Sequence, residues 1–225
     1  MTLSPADAPK LAPVRLALVT GASRGLGTAL AEELAAQGYH VMAVARTVGG
    51  LEDLDDRIKA KGGSATLAPL DVTSPEQMEH LAQSIAARWG SLQLWAHCAI
   101  FAAPLTPAGH IDPEDMEKSL ATNIAAPATL ISKLEPLLRV GGGTALFFDD
   151  PRAGAPFFGA YGASKAAQMA LVRSWAAETQ KIGPEVRILA PQPMPTAVRA
   201  RFFPSEDRAP LSDIRAEAAR LLATL

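Results

Sequence analysis

The sequence predicts an α/β protein built on one doubly wound parallel sheet with helices on both faces. Three observations predict this architecture. Short runs rich in Val, Leu and Ala alternate with longer stretches of helical periodicity. The short runs are apolar on both faces, as buried parallel strands are. A glycine-rich turn, TGASRGLG, joins the first run to the first helical stretch.

The individual elements follow from these patterns and from the Gly and Pro residues between them. The last helix ends near Leu225 with no clear strand after it, so a seventh strand is predicted to be missing or short. Pro75 suits the first position of the third helix, which Thr73, Ser74 and Glu76 help to begin. The predicted strands are 16–19, 40–45, 64–70, 92–99, 144–148 and 186–190, and the predicted helices include 25–37, 51–63, 75–89, one containing Asn123, and 160–179.

Length and composition bound the kind of protein. The 225 residues suit one domain, which we place at residues 15–225 behind a flexible arm of residues 1–14. The 21 Lys and Arg nearly balance the 23 Asp and Glu, which predicts no nucleic-acid or membrane partner. A single cysteine, Cys98, and the lack of a signal peptide or an apolar run of spanning length predict a cytoplasmic protein.

The glycine-rich turn predicts a dinucleotide site. Glycines 21, 25 and 27 lie between strand and helix, where they permit a tight turn, a close approach by a pyrophosphate and close helix packing. An ordinary glycine-rich turn is the alternative, but the flanking strand and helix favour the binding site.

The choice of cofactor depends on the end of the second strand. Enzymes that use NAD(H) usually carry an acidic residue there for the ribose 2′-hydroxyl, whereas this chain has Arg46. Arg46 and Arg24 offer forked donors for a 2′-phosphate, so NADP(H) is preferred and NAD(H) is the alternative. Two solvated arginines would explain the same residues without a ligand.

Tyr161 and Lys165 lie four residues apart in the predicted helix 160–179 and therefore share one helix face. An ammonium near a phenol favours the phenolate, so Lys165 is expected to lower the pKa of Tyr161 and make it a general acid or base. Such pairs are also common on helix surfaces, so the interpretation depends on its context.

That context is the order of the glycine turn, Asp71-Val72, Asn123 and the YGASK segment at 161–165. This arrangement resembles the short-chain dehydrogenase/reductase family, whose sheet is of the Rossmann type, over about residues 15–196. The resemblance implies a cofactor site at the glycine turn, with Asp71 and Val72 in the adenine pocket. It implies that Lys165 also holds the nicotinamide ribose, that Asn123 supports a water relay to Lys165, and that Thr196 contacts the carboxamide. The predicted cofactor-binding residues are Gly21, Ser23, Arg24, Gly25, Leu26, Gly27, Arg46, Asp71, Val72, Tyr161, Lys165 and Thr196, and the predicted catalytic residues are Tyr161, Lys165 and Asn123.

The chain departs from the family pattern at several positions. His97-Cys98-Ala99-Ile100 stands where the family has NNAG, and Pro191-Gln192 where it has Pro-Gly. The family's serine is expected at Phe148 or Asp149, and neither carries a hydroxyl. Losing one such donor costs about 10²- to 10³-fold in rate. A protonated Asp149 is one substitute for the serine, and a simple turn at Asp149 and Asp150 is the alternative.

The segment after Thr196 is expected to form a short substrate lid around residues 193–212. Phe157 and Phe158, with Arg199, Arg201, Phe202 and Phe203, indicate an apolar pocket there, or alternatively ordinary packing of the lid. The four histidines show no metal-ligand spacing, so no metal site is predicted.

Two functions remain in competition after the sequence alone. The first is an NADP(H)-dependent oxidoreductase that moves a hydride between the nicotinamide and a small carbonyl or alcohol substrate. The second is a non-catalytic NADP(H) sensor or partner-binding module, and a structural subunit without a ligand is a third, weaker interpretation. The Ala-rich helices that hold Asn123 and Tyr161 predict a homodimer or homotetramer, as in the resembled family.

Overall fold

The computed structural model describes residues 14–225, so nearly all of the predicted arm at residues 1–14 lies outside the described residues. Within them, six strands form one parallel sheet in the order β3-β2-β1-β4-β5-β6. The strand order reverses between β1 and β4, which leaves a crevice at their carboxyl ends. The predicted doubly wound fold is confirmed.

Most element boundaries agree with the predicted ones to within three residues. The predicted helix 51–63 lies at Val48–Ala60, and the predicted strand 92–99 is reduced to its central four residues. The strands are β1 Leu16–Thr20, β2 His40–Ala45, β3 Ser64–Pro69, β4 Leu94–His97, β5 Thr144–Phe148 and β6 Glu185–Leu189. The helices are α1 Gly25–Ala36, α2 Val48–Ala60, α3 Pro75–Trp89, α4 Pro113–Leu120, α5 Ala126–Gly141, α6 Gly159–Thr179, α7 Ala197–Phe202 and α8 Ile214–Leu222.

Local chemistry sets the ends of α3 as the sequence suggests. The Ser74 hydroxyl accepts a hydrogen bond from the backbone N–H of Gln77, and Pro75 occupies the first turn, where its missing N–H is not needed. Gly90 ends the helix at φ +76°, in the left-handed region that glycine adopts freely. Here the sequence specifies the element without help from distant residues.

Apolar side chains cover both faces of the sheet. Helices α3, α5 and α6 pack on one face around Trp95, Phe147 and Trp175. Helices α1, α2 and α8 pack on the other. The central strands β1, β2, β4 and β5 are almost wholly buried, whereas the edge strands β3 and β6 are only partly covered, contrary to the expectation that every strand would be buried on both faces.

Residues 14–225 contain no seventh strand, as predicted. After β6 the chain runs through α7 and then places α8 against α1, where Ala218, Leu221 and Leu222 are buried. None of the helices in this described part of the chain is long and apolar enough to cross a bilayer.

Candidate functional site

A cavity of about 580 Å³ opens at the carboxyl ends of the central strands. The glycine turn, the residues that follow β2 to β6, the start of α6 and helix α7 form its walls. It is the place where a doubly wound sheet offers a ligand site. Every predicted cofactor-binding residue lines this cavity, and so do the predicted catalytic residues Tyr161 and Lys165; Asn123 is buried outside its walls.

The glycine turn has no room for side chains at two positions. Gly21 adopts φ +77°, and a Cβ there would lie 2.6 Å from the backbone nitrogen of Ala99. A Cβ on Gly27 would lie 2.2 Å from the carbonyl oxygen of Gly21. The N-cap residue of α1, Arg24, makes no side-chain hydrogen bond to the first turn. The first N–H groups of α1 are therefore free of a side-chain cap and suited to an anion.

Arginine side chains lie at the rim of this half of the cavity. Arg24 is exposed, and the Arg46 side chain is 72% exposed with Nη1 3.9 Å from Oδ2 of Asp71. The other Asp71 oxygen, Oδ1, accepts hydrogen bonds from the Thr73 backbone N–H (2.9 Å) and hydroxyl (2.8 Å). Asp71 is therefore fixed by its own turn, whereas Arg46 is held only loosely.

Tyr161 lies in the first turns of α6, 4% exposed, with its hydroxyl donating to Oδ2 of Asp150 over 3.1 Å. Burial raises the pKa of Tyr161, and the carboxylate of Asp150 raises it further. The expected lowering of this pKa by Lys165 is therefore wrong for the structure described. The pKa shift instead holds Tyr161 in the protonated form, able to donate.

Lys165 is 7% exposed, and its Nζ donates to Oε1 of Gln168 over 2.6 Å. Burial lowers the pKa of Lys165 to about 8, while Asp149 and Asp150 partly oppose that shift. The lysine therefore faces the cavity with an ammonium that is easier to deprotonate than an exposed one.

Asn123 lies in a π-helical turn, Ala121–Ala125, between α4 and α5. Its Oδ1 accepts from the Phe101 backbone N–H (2.8 Å), and its Nδ2 donates to the Phe101 carbonyl and the Ser164 hydroxyl (both 2.9 Å). The Asn123 main-chain oxygen accepts from Nε2 of Gln168 over 2.9 Å. The resemblance implied a water between Asn123 and Lys165, but here the Gln168 side chain joins them.

The end of β5 corrects the expectation about the serine position. Phe148 is 8% exposed, and the Asp149 carboxylate turns towards Arg173, with Oδ2 3.5 Å from its Nη2. It is Asp150 that reaches Tyr161, and its second oxygen accepts from Nε of Arg152 over 3.0 Å. Both aspartates follow the strand and line the cavity, so the sequence could not show which of them bonds Tyr161.

His97 and Cys98 also line the cavity, but burial keeps both uncharged near neutral pH. Nδ1 of His97 shares a 2.8 Å hydrogen bond with the Thr20 hydroxyl, and burial lowers the pKa of His97 to about 3. Burial raises the pKa of the Cys98 thiol to about 12. A neutral imidazole and a protonated thiol there do not act as a charged acid and a thiolate nucleophile.

Tyr161, Phe202 and Phe203 line the other half of the cavity, together with Asp150 and Arg152. Phe158, Tyr161 and Phe202 make a buried cluster, with the rings of Tyr161 and Phe202 4.8 Å apart. Thr196 caps α7 and lies 3.6 Å from where a Cβ on Gly25 would be. The segment after β6 therefore touches both the glycine turn and the aromatic cluster, in the place expected for a lid.

Among residues 14–225 no group of three or more His, Cys, Asp or Glu side chains is arranged to hold a metal ion.

Comparisons with known proteins agree with this architecture. Residues 15–207 match the family model described as short chain dehydrogenase. A tropinone reductase homolog of Arabidopsis thaliana is 34% identical over 193 residues, which is 84% of this chain and 72% of that protein. A short chain dehydrogenase of Shigella flexneri complexed with NADP superposes with a TM-score of 0.84 at 29% identity, over 89% of this chain and 86% of that one. A metagenomic short-chain oxidoreductase in complex with NADP gives a TM-score of 0.80 at 25% identity, over 94% and 90% of the two chains. The chain belongs to the short-chain dehydrogenase/reductase family.

Proposed function

We propose that this protein is an NADP(H)-dependent oxidoreductase that interconverts a small apolar carbonyl compound and its alcohol. One observation carries the proposal: a single cavity brings the uncapped glycine turn together with a buried, protonated Tyr161 and a buried Lys165. The glycine turn offers anion binding, and Tyr161 offers a proton where a developing alkoxide needs one.

The residues present fit the cofactor. The two positions where a Cβ would collide with backbone, Gly21 and Gly27, leave the turn open for a pyrophosphate. Arg24 and Arg46 would hold the 2′-phosphate that distinguishes NADP(H) from NAD(H). The two solved relatives described above were crystallised with NADP. When bound, the nicotinamide supplies or accepts the hydride.

The chain's own residues supply the proton chemistry. In reduction Tyr161 donates its phenolic proton to the carbonyl oxygen, and its raised pKa keeps that proton available. Lys165 would hold the nicotinamide ribose, as the family resemblance implies, and its ammonium would stabilise the phenolate that Tyr161 becomes. Asn123 positions these groups by bonding both Phe101 and Ser164 across the floor of the site.

The departures from the family pattern affect packing more than they affect proton transfer. His97, at one of the asparagine positions, packs against Trp95 and Phe147 in edge-on and tilted contacts, with ring centroids 5.1–5.4 Å apart among the three. Apolar packing thus holds β4 and β5 together at the cavity floor. Loss of the serine removes one donor to the carbonyl oxygen, which would lower the rate by about 10²- to 10³-fold without abolishing it.

The aromatic half of the cavity indicates the substrate class. Phe202 and Phe203 line it together with Tyr161, and Phe158 packs behind them. The arginines there are already paired, Arg199 with Glu206 over 2.6 Å and Arg152 with Asp150 over 3.0 Å. An apolar ketone or aldehyde therefore fits this half better than an anionic one.

A turnover assay tests the proposal. Purified protein, NADPH and a panel that includes benzaldehyde, acetophenone and cyclohexanone should show NADPH consumption, and Tyr161→Phe should lose about 10²- to 10⁴-fold of that rate. Because Tyr161→Phe keeps the ring that packs on Phe202, cofactor binding should survive. Consumption by Tyr161→Phe equal to the wild type would contradict the proposal.

A second function is favoured by one observation: the Tyr161 hydroxyl is already bonded to Asp150. A non-catalytic NADP(H) sensor would keep the cofactor pocket and need no free acid. Tight NADPH binding by fluorescence, with no turnover of any panel member by the wild type, would support the sensor over the enzyme.

Assembly and location belong to the same proposal. Leu120 is 47% exposed on a patch that includes Met116 and Ile124, so we propose that the surface of α4 and α5 pairs two copies in a homodimer or homotetramer. A monomeric mass by light scattering would contradict this. We also propose a cytoplasmic location, because the chain has a single cysteine.

A further inference from the structure

Tyr161 must regain or release a proton in every cycle of the proposed reaction, and the structure limits the routes. Asp150 contacts the buried Tyr161 and is itself 31% exposed, so it meets water. One of its oxygens accepts from the Tyr161 hydroxyl over 3.1 Å, and the other accepts from Arg152 over 3.0 Å. A carboxylate that contacts both the phenol and water can pass a proton between them.

The opposite side of the site is closed by Gln168. This side chain is 1% exposed and uses both ends of its amide: Oε1 accepts from Lys165, and Nε2 donates to the Asn123 carbonyl. A water or a hydroxyl group passes protons readily, because it accepts one and donates another. A neutral amide does so only through its imidic acid form, which is unfavourable. The chain Lys165–Gln168–Asn123 therefore positions the lysine without conducting protons past it.

We propose that Asp150 carries protons between solvent and Tyr161, and that Gln168 closes the route behind Lys165. The inference rests on the proposed function and extends it, since it names the residue through which Tyr161 is reprotonated. Asp150 is a proton-relay residue in contact with the reacting hydroxyl.

The steps balance. In reduction the carbonyl carbon receives the hydride while the carbonyl oxygen takes the proton of Tyr161, which leaves a phenolate. An Asp150 carboxyl group, protonated from solvent, then gives its proton to the phenolate and returns to carboxylate. In alcohol oxidation the same steps run in reverse. Transfer from a carboxylic acid to a phenolate is downhill, because a phenol is the weaker acid by about six pKa units and burial raises the pKa of Tyr161 further.

Several charged groups face this pair and shape its pH dependence. Arg152 bonds Asp150 directly, Asp149 acts on Tyr161 from the neighbouring position, and Lys165 lies within electrostatic reach of both aspartates. A variant at Asp150 therefore alters this field as well as the relay. The experiment must therefore separate the loss of charge from the loss of proton transfer. Formate added from solution does this, because it replaces the missing carboxyl group.

The test compares Asp150→Ala with Asp53→Ala, which removes an exposed carboxylate from α2, outside the cavity walls. With NADPH and the best carbonyl of the panel, Asp150→Ala should lose about 10²-fold in kcat with little change in KM, and added formate should restore much of the loss. Asp53→Ala should change kcat by less than about threefold and should not respond to formate, because its carboxylate is exposed and does not line the cavity. Asp150→Asn, which keeps the side-chain shape, should lose rate as Asp150→Ala does.

A second readout does not depend on turnover. The chain has two tyrosines, so subtracting the alkaline ultraviolet titration of Tyr161→Phe isolates Tyr161. Asp150→Asn should move the Tyr161 titration to lower pH, because the neighbouring negative charge is gone.

The outcomes separate this inference from the function on which it rests. A wild type that turns over no carbonyl would overturn the proposed function and the relay together. A wild type whose activity and pH profile survive Asp150→Ala and Asp150→Asn would overturn the relay alone. An unmoved Tyr161 titration would overturn the Asp150–Tyr161 contact itself, and formate rescue specific to Asp150→Ala would support the relay.

Discussion

Arg46→Ala should weaken NADPH binding while leaving NADH binding almost unchanged. Arg46 lies at the cavity rim with its side chain 72% exposed, and its nearest carboxylate, on Asp71, is 3.9 Å away. The guanidinium is therefore not committed to an internal partner and can turn towards a 2′-phosphate. Removing it should affect only the cofactor that carries that phosphate.

The size of the effect follows from this exposure. A hydrogen bond to a charged group contributes about 1.5–3 kcal/mol, and an exposed charge pair contributes about 1 kcal/mol or less. A dianionic phosphate held by a forked donor at a half-open rim should fall between them, at about 1–2 kcal/mol. Because about 1.4 kcal/mol is tenfold in Kd, Arg46→Ala should weaken NADPH by about 5- to 30-fold.

Fluorescence titration with NADPH and NADH checks this, at low and at high salt. Arg139→Ala is the matched control, since it removes the same charge from a surface ion pair with Glu135, outside the cavity walls. The wild-type preference for NADPH should shrink as salt screens the arginine. Equal weakening of both cofactors by Arg46→Ala, or no weakening of NADPH, would refute the assignment of Arg46 to the 2′-phosphate.

Three further outcomes are expected. Gly27→Ala places a Cβ 2.2 Å from the Gly21 carbonyl oxygen, so it should lower the unfolding free energy by about 1–3 kcal/mol and abolish NADPH binding, measured by urea unfolding and fluorescence. Burial lowers the pKa of His97 from 6.5 to about 3, so below pH 6.5 the unfolded chain binds a proton at His97 that the folded protein does not bind. The free energy of unfolding should therefore fall as the pH drops below 6.5, and it should fall less in His97→Asn. Burial lowers the pKa of Lys165 from 10.5 to about 8, so between these pH values the folded protein has lost a proton that the unfolded chain still holds. The free energy of unfolding of the wild type, relative to that of Lys165→Met, should therefore rise between pH 8 and 10.5. A difference that does not change with pH would contradict the burial of this charge.

The sequence predicts the sheet well and brings the predicted cofactor-binding residues to one cavity, because the signals there are local. The apolar runs at β2 and β5 have the predicted bounds, and α3 begins at Pro75 as its capping residues indicate. The glycine turn needs no distant partner to be recognised, since its spacing between strand and helix defines it. Every residue assigned to the cofactor half of the site lines that cavity.

The proton-transfer half could not be predicted in the same way, since its partners are distant in sequence or ambiguous. Whether Asp149 or Asp150 faces Tyr161 depends on how the chain leaves β5, and Arg152 pairs with the one that does. Gln168 looks like an ordinary helical polar residue until the fold sets it against the Asn123 carbonyl, 45 positions away. The helix spacing of Tyr161 and Lys165 alone could not reveal that each side chain bonds a different partner.

The burial of the edge strands also could not be predicted from the sequence. From the sequence, β3 and β6 are expected to be buried like the central strands, yet each has a neighbouring strand on one side only and is partly exposed, and β6 carries Glu185 and Arg187. Strand order is a property of the assembled sheet, so a single strand's composition does not report it.

The segment after Thr196 is joined to the rest of the cavity by few bonds. Arg199 pairs with Glu206 inside the segment, and Arg201 reaches out to the Ala102 carbonyl over 2.6 Å. The backbone of the glycine turn, by contrast, packs so closely on Cys98 and Ala99 after β4 that a Cβ on Gly21 would lie 2.6 Å from their backbone atoms. Under the proposed function, changes confined to codons 197–206 would therefore alter substrate preference while leaving the glycine turn and its cofactor site intact.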